Sequence, residues 1–226
     1  MYTYLLINLV AISLPMIATF FPWHRFDKQW KYVFPAILLT MVIFIPWDVI
    51  FTRMGVWGFN PLYLSGVYIL DLPLGEWLFF ICIPYAALFT YDAVNYVIRK
   101  DFLGKAAPWI SGVLGTGLLV TGLLHLEQLY TSITFIATGI FLLLHLIIWK
   151  SKYMGRFFLS YSFVLLPFII INGFLTGSFI PEEVVWYNDA QNLGIRIFTI
   201  PLEDFVYSLL LQGLNVTFFE TLKKIY

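Results

Sequence analysis

Seven apolar segments, separated by loops whose basic residues are unevenly distributed, constrain the fold of this chain more than any other feature. The segments cover roughly 2–21, 33–52, 74–98, 107–125, 128–149, 157–176 and 200–222. Most of them hold the ~20 apolar residues that an α-helix needs to cross a hydrocarbon core. The sequence therefore predicts an all-α, polytopic membrane protein with seven transmembrane helices.

The Lys and Arg residues indicate how these helices are oriented. If every segment crosses the membrane, 11 basic residues lie on one side and only two, Arg53 and Arg196, lie on the other. Two of the 11 are in the C-terminal tail, and the other nine are in the loops at 22–32, 99–106 and 150–156. Because basic residues concentrate on the cytoplasmic side, we expect the N-terminus outside and the C-terminus in the cytoplasm of a multi-pass protein of the cell membrane.

Composition supports one integral membrane domain over 1–226. The chain is 61% hydrophobic and 12% charged, and no polar stretch is long enough for a separate aqueous domain. The net charge of zero gives no indication of a nucleic-acid partner. The sequence does not indicate an oligomeric state.

An internal repeat is the second informative feature. In each of two outer loops an asparagine precedes a helix-opening proline by 13 residues, and a glycine precedes the same proline by 7. These residues are Asn60, Gly66 and Pro73 in one loop, and Asn188, Gly194 and Pro201 in the other. Such matched spacing predicts a duplication.

The duplication predicts two parallel repeats, at about 1–98 and about 128–226, joined by a linker helix at about 107–125. The linker helix brings the second repeat into the membrane in the same orientation as the first, so the expected symmetry axis runs along the membrane normal. Both motif loops then lie on the same side of the membrane. Asp48 in the first repeat has Asn172 as its counterpart in the second, since each precedes a threonine by four residues.

Four carboxylic acids lie at membrane depth or at a helix entrance on the outer side: Asp48, Glu76, Glu203 and Asp204. An ionisable group within a membrane span is costly, so it is either functional or paired, and Arg53 and Arg196 are the cations available on that side. Glu76 and Asp204 each follow the helix-opening proline by three residues. There the helix dipole favours the anion while aromatic surroundings favour the neutral acid, which suits a general acid. Helix capping is the structural alternative.

Aromatic residues make up 20% of the chain, and many lie on the outer side. They include Trp47, Trp57, Phe59, Trp77, Trp186 and Tyr187. An interfacial aromatic belt is one interpretation. The other is the lining of a site for a long apolar substrate that reacts through a carbocation, because aromatic faces stabilise cations without reacting with them.

Five motifs carry a resemblance to a known family. They are PWD at 46–48, WGFNP at 57–61, PLGEWLFF at 73–80, NGFLTG at 172–177 and PLEDFVY at 201–207. Together they resemble the membrane-integral lycopene cyclases, which include the bacterial two-subunit type and its fused bacterial, archaeal and fungal forms. The resemblance covers nearly the whole chain, with both halves in one polypeptide.

The resemblance implies a lycopene β-cyclase, which closes the linear ends of the carotenoid lycopene into β-ionone rings without net redox change. It implies Glu76, Glu203 and Asp204 as acid and base, with Asp48 as a further catalytic residue. One departure is that the family would have two adjacent acids in the first proline motif, whereas here Gly75 replaces the first of them. Residues expected to contact the substrate are Trp47, Asn60, Trp77, Phe79, Asn172, Asn188, Arg196, Phe205 and Tyr207.

No cofactor is expected. The chain has no G-x-G-x-x-G after a strand, which is the signature of a dinucleotide-binding domain. Its three histidines share no ligand spacing, so no metal site is predicted.

Three alternatives stay open at this point. A carotenoid hydratase would use the same protonation and admit water to the cation. A seven-helix retinal protein would need a lysine inside its last helix, yet Lys223 and Lys224 follow that segment. A transporter would be expected to have Gly- or Pro-broken helix centres at matching positions of the two repeats, and the sequence lacks them.

Overall fold

Seven α-helices account for most of the part of the chain that the computed structural model describes, residues 2–225. They are α1 (Thr3–Ala18), α2 (Trp30–Arg53), α3 (Leu74–Val97), α4 (Ala107–Leu124), α5 (Leu129–Ile147), α6 (Met154–Leu175) and α7 (Leu202–Ile225). Every helix begins and ends within about three residues of its predicted segment, which confirms the predicted all-α class. The last helix runs past the predicted end because Lys223 and Lys224 join its final turn, where cations complement the helix dipole.

Five of the helices, α2 to α6, are long and apolar enough to cross a membrane. These five identify the chain as a membrane protein. The apolar helix α1 has only 16 residues, and α7 begins with two carboxylic acids in its first turn. Membrane crossing by these two helices, and hence the count of seven spans and the outside N-terminus, stays a prediction.

Short strands, which the sequence analysis did not predict, shape both outer loops. They are β1 (Trp57–Phe59), β2 (Tyr68–Ile69), β3 (Leu72–Pro73), β4 (Val185–Tyr187), β5 (Arg196–Ile197) and β6 (Ile200–Pro201). The pairs β2–β3 and β5–β6 are hairpins that lead directly into α3 and α7. Strand β1 pairs with β4, so the two outer loops are joined by an antiparallel ribbon.

The hydrogen bonds around this ribbon follow a reciprocal pattern. The Asn60 N–H donates to the Val184 carbonyl at 2.9 Å, and the Asn188 N–H donates to the Val56 carbonyl at 3.0 Å. Each residue of one bond lies 128 positions from its counterpart in the other. In the ribbon itself, Gly58 faces Trp186, its own counterpart at the same spacing. A two-fold rotation through the centre of the ribbon would generate this pattern.

Gly58 is required where the two loops meet. A Cβ atom at this position would lie 2.3 Å from the indole ring of Trp186, so no larger residue fits without moving that ring. Below the ribbon, α2 packs against α7 and α3 packs against α6, with apolar side chains filling the space between them.

Helix α4 lies to one side, packed closely against α5. The backbones approach at Gly115 and Gly139, where a Cβ on Gly139 would meet the Gly115 carbonyl at 2.8 Å. Small residues at such a crossing allow close helix packing in a membrane.

Candidate active site

Three of the four predicted acids meet in one small cavity directly below the β1–β4 ribbon. The cavity has a volume of about 70 Å³, and Asp48, Glu76 and Asp204 all line it. We call this space the acid chamber. Trp57 and Phe59 of β1 and Val185 and Tyr187 of β4 also line the chamber. The ribbon therefore roofs a site whose floor and walls are the outer ends of the helices.

The helix starts place Glu76 and Asp204 at equivalent points. Each acid is the third residue of its helix, α3 or α7. Each helix start is held by a backbone hydrogen bond of 2.9 Å, from Leu74 to Val67 and from Leu202 to Ile195. The prolines, expected inside the first turn, instead end strands β3 and β6 immediately before it. Both carboxyl groups consequently lie near the positive end of a helix dipole.

In the first half of the chamber, two carboxyl groups face each other. Asp48 and Glu76 are 2% and 8% exposed, and their carboxyl groups lie in hydrogen-bonding contact. The Tyr4 hydroxyl donates to Glu76, and the Trp57 indole N–H donates to Asp48 at 2.6 Å. Two carboxylates in contact repel each other, so such a pair retains a proton between them.

In the second half, Asp204 is surrounded by donors. Its Oδ1 accepts from the Tyr130 hydroxyl at 2.5 Å, and its Oδ2 accepts from the Asn172 amide at 2.7 Å and the Tyr187 hydroxyl at 3.0 Å. Burial raises the pKa of Tyr187, which lies in the outer ribbon, well above its usual range, so this phenol stays protonated as a donor. Burial of this carboxyl group favours its neutral form, and the three hydrogen bonds oppose that effect by stabilising the charged form.

Glu203 lies outside the acid chamber. Its Oε1 accepts from the Thr131 hydroxyl at 2.6 Å and from the Leu193 backbone N–H at 2.8 Å, so it ties α7 to α5 and to the preceding loop. In the first repeat, a side chain at Gly75 would begin 2.6 Å from the ring of Tyr4. Gly75 thus leaves space for the tyrosine that binds Glu76, which explains why the first proline motif has one acid and not two.

The residues expected to contact the substrate divide into three groups. Asn172, Phe79 and Tyr207 line the acid chamber. Trp47 and Phe205 lie behind the lining: the Trp47 ring packs against Tyr207, and the Phe205 ring packs against the chamber residue Phe168. Four others shape the loops, namely Asn60, Trp77, Asn188 and Arg196.

The loop residues have structural partners, so we do not assign them to the chamber. The Asn60 side chain caps the short 3₁₀ helix Pro61–Tyr63, and Asn188 caps the 3₁₀ helix Asp189–Gln191. The Trp77 indole donates to the Ile69 carbonyl at 3.0 Å, which fixes the β2–β3 hairpin on α3. The matched asparagine spacing in the sequence therefore reflects two equivalent caps.

Both outer-side arginines are engaged by loop acids. Arg53 pairs with Asp71 at 2.6 Å, and Arg196 pairs with Asp189 at 2.5 Å. The Arg196 guanidinium lowers the pKa of Asp189 below its usual range. Among residues 2–225, no Lys or Arg lines the acid chamber, so its carboxyl groups are not held by structural ion pairs.

Sequence reasoning missed the two tyrosines that donate hydrogen bonds to Glu76 and Asp204, the acids at equivalent positions of the two repeats. Tyr4 donates to Glu76 and Tyr130 donates to Asp204, and the tyrosines lie 126 positions apart near the starts of α1 and α5. Alignment of these two helices as the first members of the repeats would have revealed the match.

A second cavity of about 340 Å³ adjoins the acid chamber and is lined mainly by apolar side chains of α1, α3 and α6, with Ser208 and Gln212 of α7 beside them. We call it the apolar channel. Neither cavity has a lysine among its described lining residues, which removes the basis for a retinal Schiff base in either one.

The comparisons with known proteins agree with the resemblance in the motifs. The family model described as lycopene cyclase matches residues 1–94 and 127–222, which together make up most of the chain. The unmatched segment between them contains α4. No curated protein and no solved structure matches the chain.

Proposed function

The chain belongs to the lycopene cyclase family, and we propose that it closes the linear ends of lycopene into β-ionone rings as a multi-pass enzyme of the cell membrane. The observation that carries this proposal is a set of three buried carboxyl groups with unlike hydrogen-bonding partners around one aromatic chamber. We also propose that the site is shared by two parallel repeats, related by an axis along the membrane normal. The reciprocal ribbon and the matched tyrosine–acid contacts support this symmetry.

The first step would use the proton held between Asp48 and Glu76. This acid protonates C2 of the terminal 1,2 double bond and leaves a tertiary cation at C1. The electrons of the 5,6 double bond then form the C1–C6 bond, which closes the six-membered ring and moves the cation to C5. A carbon–carbon double bond is a very weak base, so its protonation needs an acid that is kept neutral until the substrate binds. A carboxyl group buried in a site of low polarity meets this requirement.

The second step would use Asp204 as the base. Its carboxylate removes the proton on C6, and the electrons of that C–H bond form the 5,6 double bond of the β-ring. One proton enters and one leaves, so the reaction has no net redox change. Three donors to Asp204 stabilise the anion before the proton arrives.

The aromatic walls would stabilise the cation between these steps. Phe59, Phe79 and Tyr207 line the chamber with Trp57 and Tyr130, and their faces attract positive charge without trapping it covalently. The roof formed by the β1–β4 ribbon would keep water from the cation. Cyclised products are therefore expected in place of the tertiary alcohols that a hydratase would form.

Expression in a bacterium that accumulates lycopene, followed by chromatography of its pigments, tests the proposal. We expect conversion of lycopene to the monocyclic γ-carotene or the bicyclic β-carotene without added flavin. Growth or assay in D₂O should place one deuteron at C2 of each ring formed. Unchanged lycopene in membranes that contain well-expressed protein would refute the cyclase function, and a hydroxylated product would reassign it to hydration.

A further inference from the structure

The apolar channel joins the acid chamber inside the bundle. Six residues line both spaces, so the two cavities adjoin. They are Phe79, Ile83, Phe168, Asn172, Ser208 and Gln212. A hydrocarbon chain in the channel would therefore point its end at the three carboxyl groups.

The other end of the channel reaches the outside of the bundle between α1 and α6. Among its lining residues, Val10 and Leu14 on α1 are 58% and 73% exposed, and Ile170 on α6 is 46% exposed. All three are apolar and lie on helices that carry apolar side chains along their outer faces. In a bilayer this opening would face lipid and not water.

The equivalent space in the other half is filled. The counterparts of Phe168 and Phe79 are Phe44 and Tyr207, at the spacings of 124 and 128 that relate the two halves. There Phe44 packs against Trp47 and Tyr207, with ring centroids 5.5 and 5.1 Å apart. Phe141 of α5 completes the packing, since a Cβ on Gly213 would meet its ring at 2.6 Å. The channel is thus confined to one side of the symmetric frame.

We propose that the polyene enters the acid chamber sideways from the bilayer, between α1 and α6, with one end at a time. This inference rests on the proposed function and adds the route and the order of the reaction. The channel has the volume of an ordinary small-molecule pocket, which holds one end of a C40 hydrocarbon and leaves the remainder in lipid. The monocyclic product then has to withdraw before the second end can enter.

Cysteine labelling at the opening tests the route on the folded protein. Leu14→Cys places a thiol at the channel mouth, and Ile17→Cys, on the same helix and 64% exposed in the native protein, places one outside the channel lining. After reaction with a bulky maleimide in detergent, with complete labelling verified by intact mass, the Leu14→Cys protein returned to membranes should cyclise lycopene about tenfold more slowly than the same protein unlabelled. The labelled Ile17→Cys protein should match its unlabelled form, and the wild-type chain controls for the buried Cys82. Equal rates for labelled and unlabelled Leu14→Cys would overturn the route.

An isotope-dilution experiment tests the order. Labelled lycopene is converted by the wild-type protein in membranes that contain an excess of unlabelled monocyclic carotenoid. We expect the label to remain in the monocyclic product while the bicyclic product forms mainly from the unlabelled pool. Labelled bicyclic product formed at a rate that the excess does not change would show that both ends react in one binding event. Absence of any cyclisation by the wild-type protein would instead refute the proposed function itself.

Discussion

The two halves of the acid chamber place the same frame around carboxyl groups with different hydrogen-bonding partners. In each half a tyrosine near the start of one helix donates to an acid at the third position of another, through Tyr4 and Glu76 or through Tyr130 and Asp204. The third member differs: Asp48 contacts Glu76, whereas Asn172 contacts Asp204. The N–H group of an amide can always donate a hydrogen bond to a carboxylate. A second carboxyl group can donate one only when it is protonated.

A second difference acts in the same direction. Tyr187 adds a third hydrogen bond to Asp204, and its counterpart in the first half is Phe59, which has no hydroxyl group. Hydrogen bonding therefore favours a shared proton in the first half and a charged carboxylate in the second, while burial favours the neutral form in both. We propose that these differences within a repeated frame separate the acid from the base, and the changes at Asp48/Asn172 and at Phe59/Tyr187 can each be tested by mutation.

Loss of Glu76 or of Asp204 should have the largest effect on the rate. We predict that Glu76→Gln and Asp204→Asn each lower the rate of cyclisation by ~10² to 10⁴, since each removes one partner in proton transfer. Pigment chromatography measures the loss, with protein levels in the membrane as the control for folding. Conversion near the wild-type level by both variants would show that the two carboxyl groups are structural.

Making the two halves alike should have the next largest effect. Asn172→Asp gives the second half a carboxyl pair. Asp204 would then share a proton with the new carboxyl group and would no longer be free to accept the proton from C6. Asp48→Asn gives the first half an amide, so Glu76 would lose the partner that holds its proton. We expect each variant to slow the reaction by about 10². Full activity of Asn172→Asp would mean that the amide has no part in keeping Asp204 charged.

Removal of the third donor should have a smaller effect. Tyr187→Phe deletes one hydrogen bond to a charged group, worth about 1.5–3 kcal/mol, and we predict a loss of roughly tenfold or somewhat more in rate. Tyr68→Phe, at a half-exposed tyrosine of the β2–β3 hairpin, is the matched control and should retain the wild-type rate. A similar loss in both variants would indicate a general effect on the outer loops.

The smallest effect on the chemistry is expected at Glu203. Glu203→Ala removes the acceptor for the buried Thr131 hydroxyl and the partly buried Leu193 N–H, and should lower the free energy of unfolding by about 1–3 kcal/mol because these donors lose their partner. Glu203→Gln keeps an acceptor oxygen and should restore much of that stability. Thermal unfolding in detergent measures the difference, with cyclisation per folded molecule little changed in Glu203→Gln. A large loss of specific activity in the glutamine variant would return Glu203 to the list of catalytic acids.

The sequence alone predicted the helices and the position of the acids better than the contacts of those acids. Long apolar runs defined all seven helices to within about three residues, and the spacing of the proline motifs placed Glu76 and Asp204 at equivalent helix starts. Spacing along one element does not show which side of a helix start faces a neighbour. Glu203 and Asp204 are adjacent in the chain, yet only Asp204 lines the chamber.

The missed contacts come from elements far apart in the chain. Tyr4 is 72 positions from Glu76, and Tyr130 is 74 positions from Asp204. An isolated tyrosine near a helix start has no local pattern that marks it as a partner of an acid. Arg196 is a different case: the sequence placed it near the substrate, and the structure pairs it with Asp189, only seven positions away in the same loop.

The protonation of the resting enzyme tests the central claim most directly. Infrared spectroscopy of the protein in H₂O and D₂O detects the C=O stretching band of protonated carboxyl groups and its shift on deuteration. We predict a band from a buried protonated acid in the wild-type protein that is lost or shifted in Glu76→Gln and Asp48→Asn but retained in Asp204→Asn. A band that persists in the first two variants and disappears in Asp204→Asn would place the resting proton on Asp204, and would contradict the assignment of the acid to the first half and the base to the second.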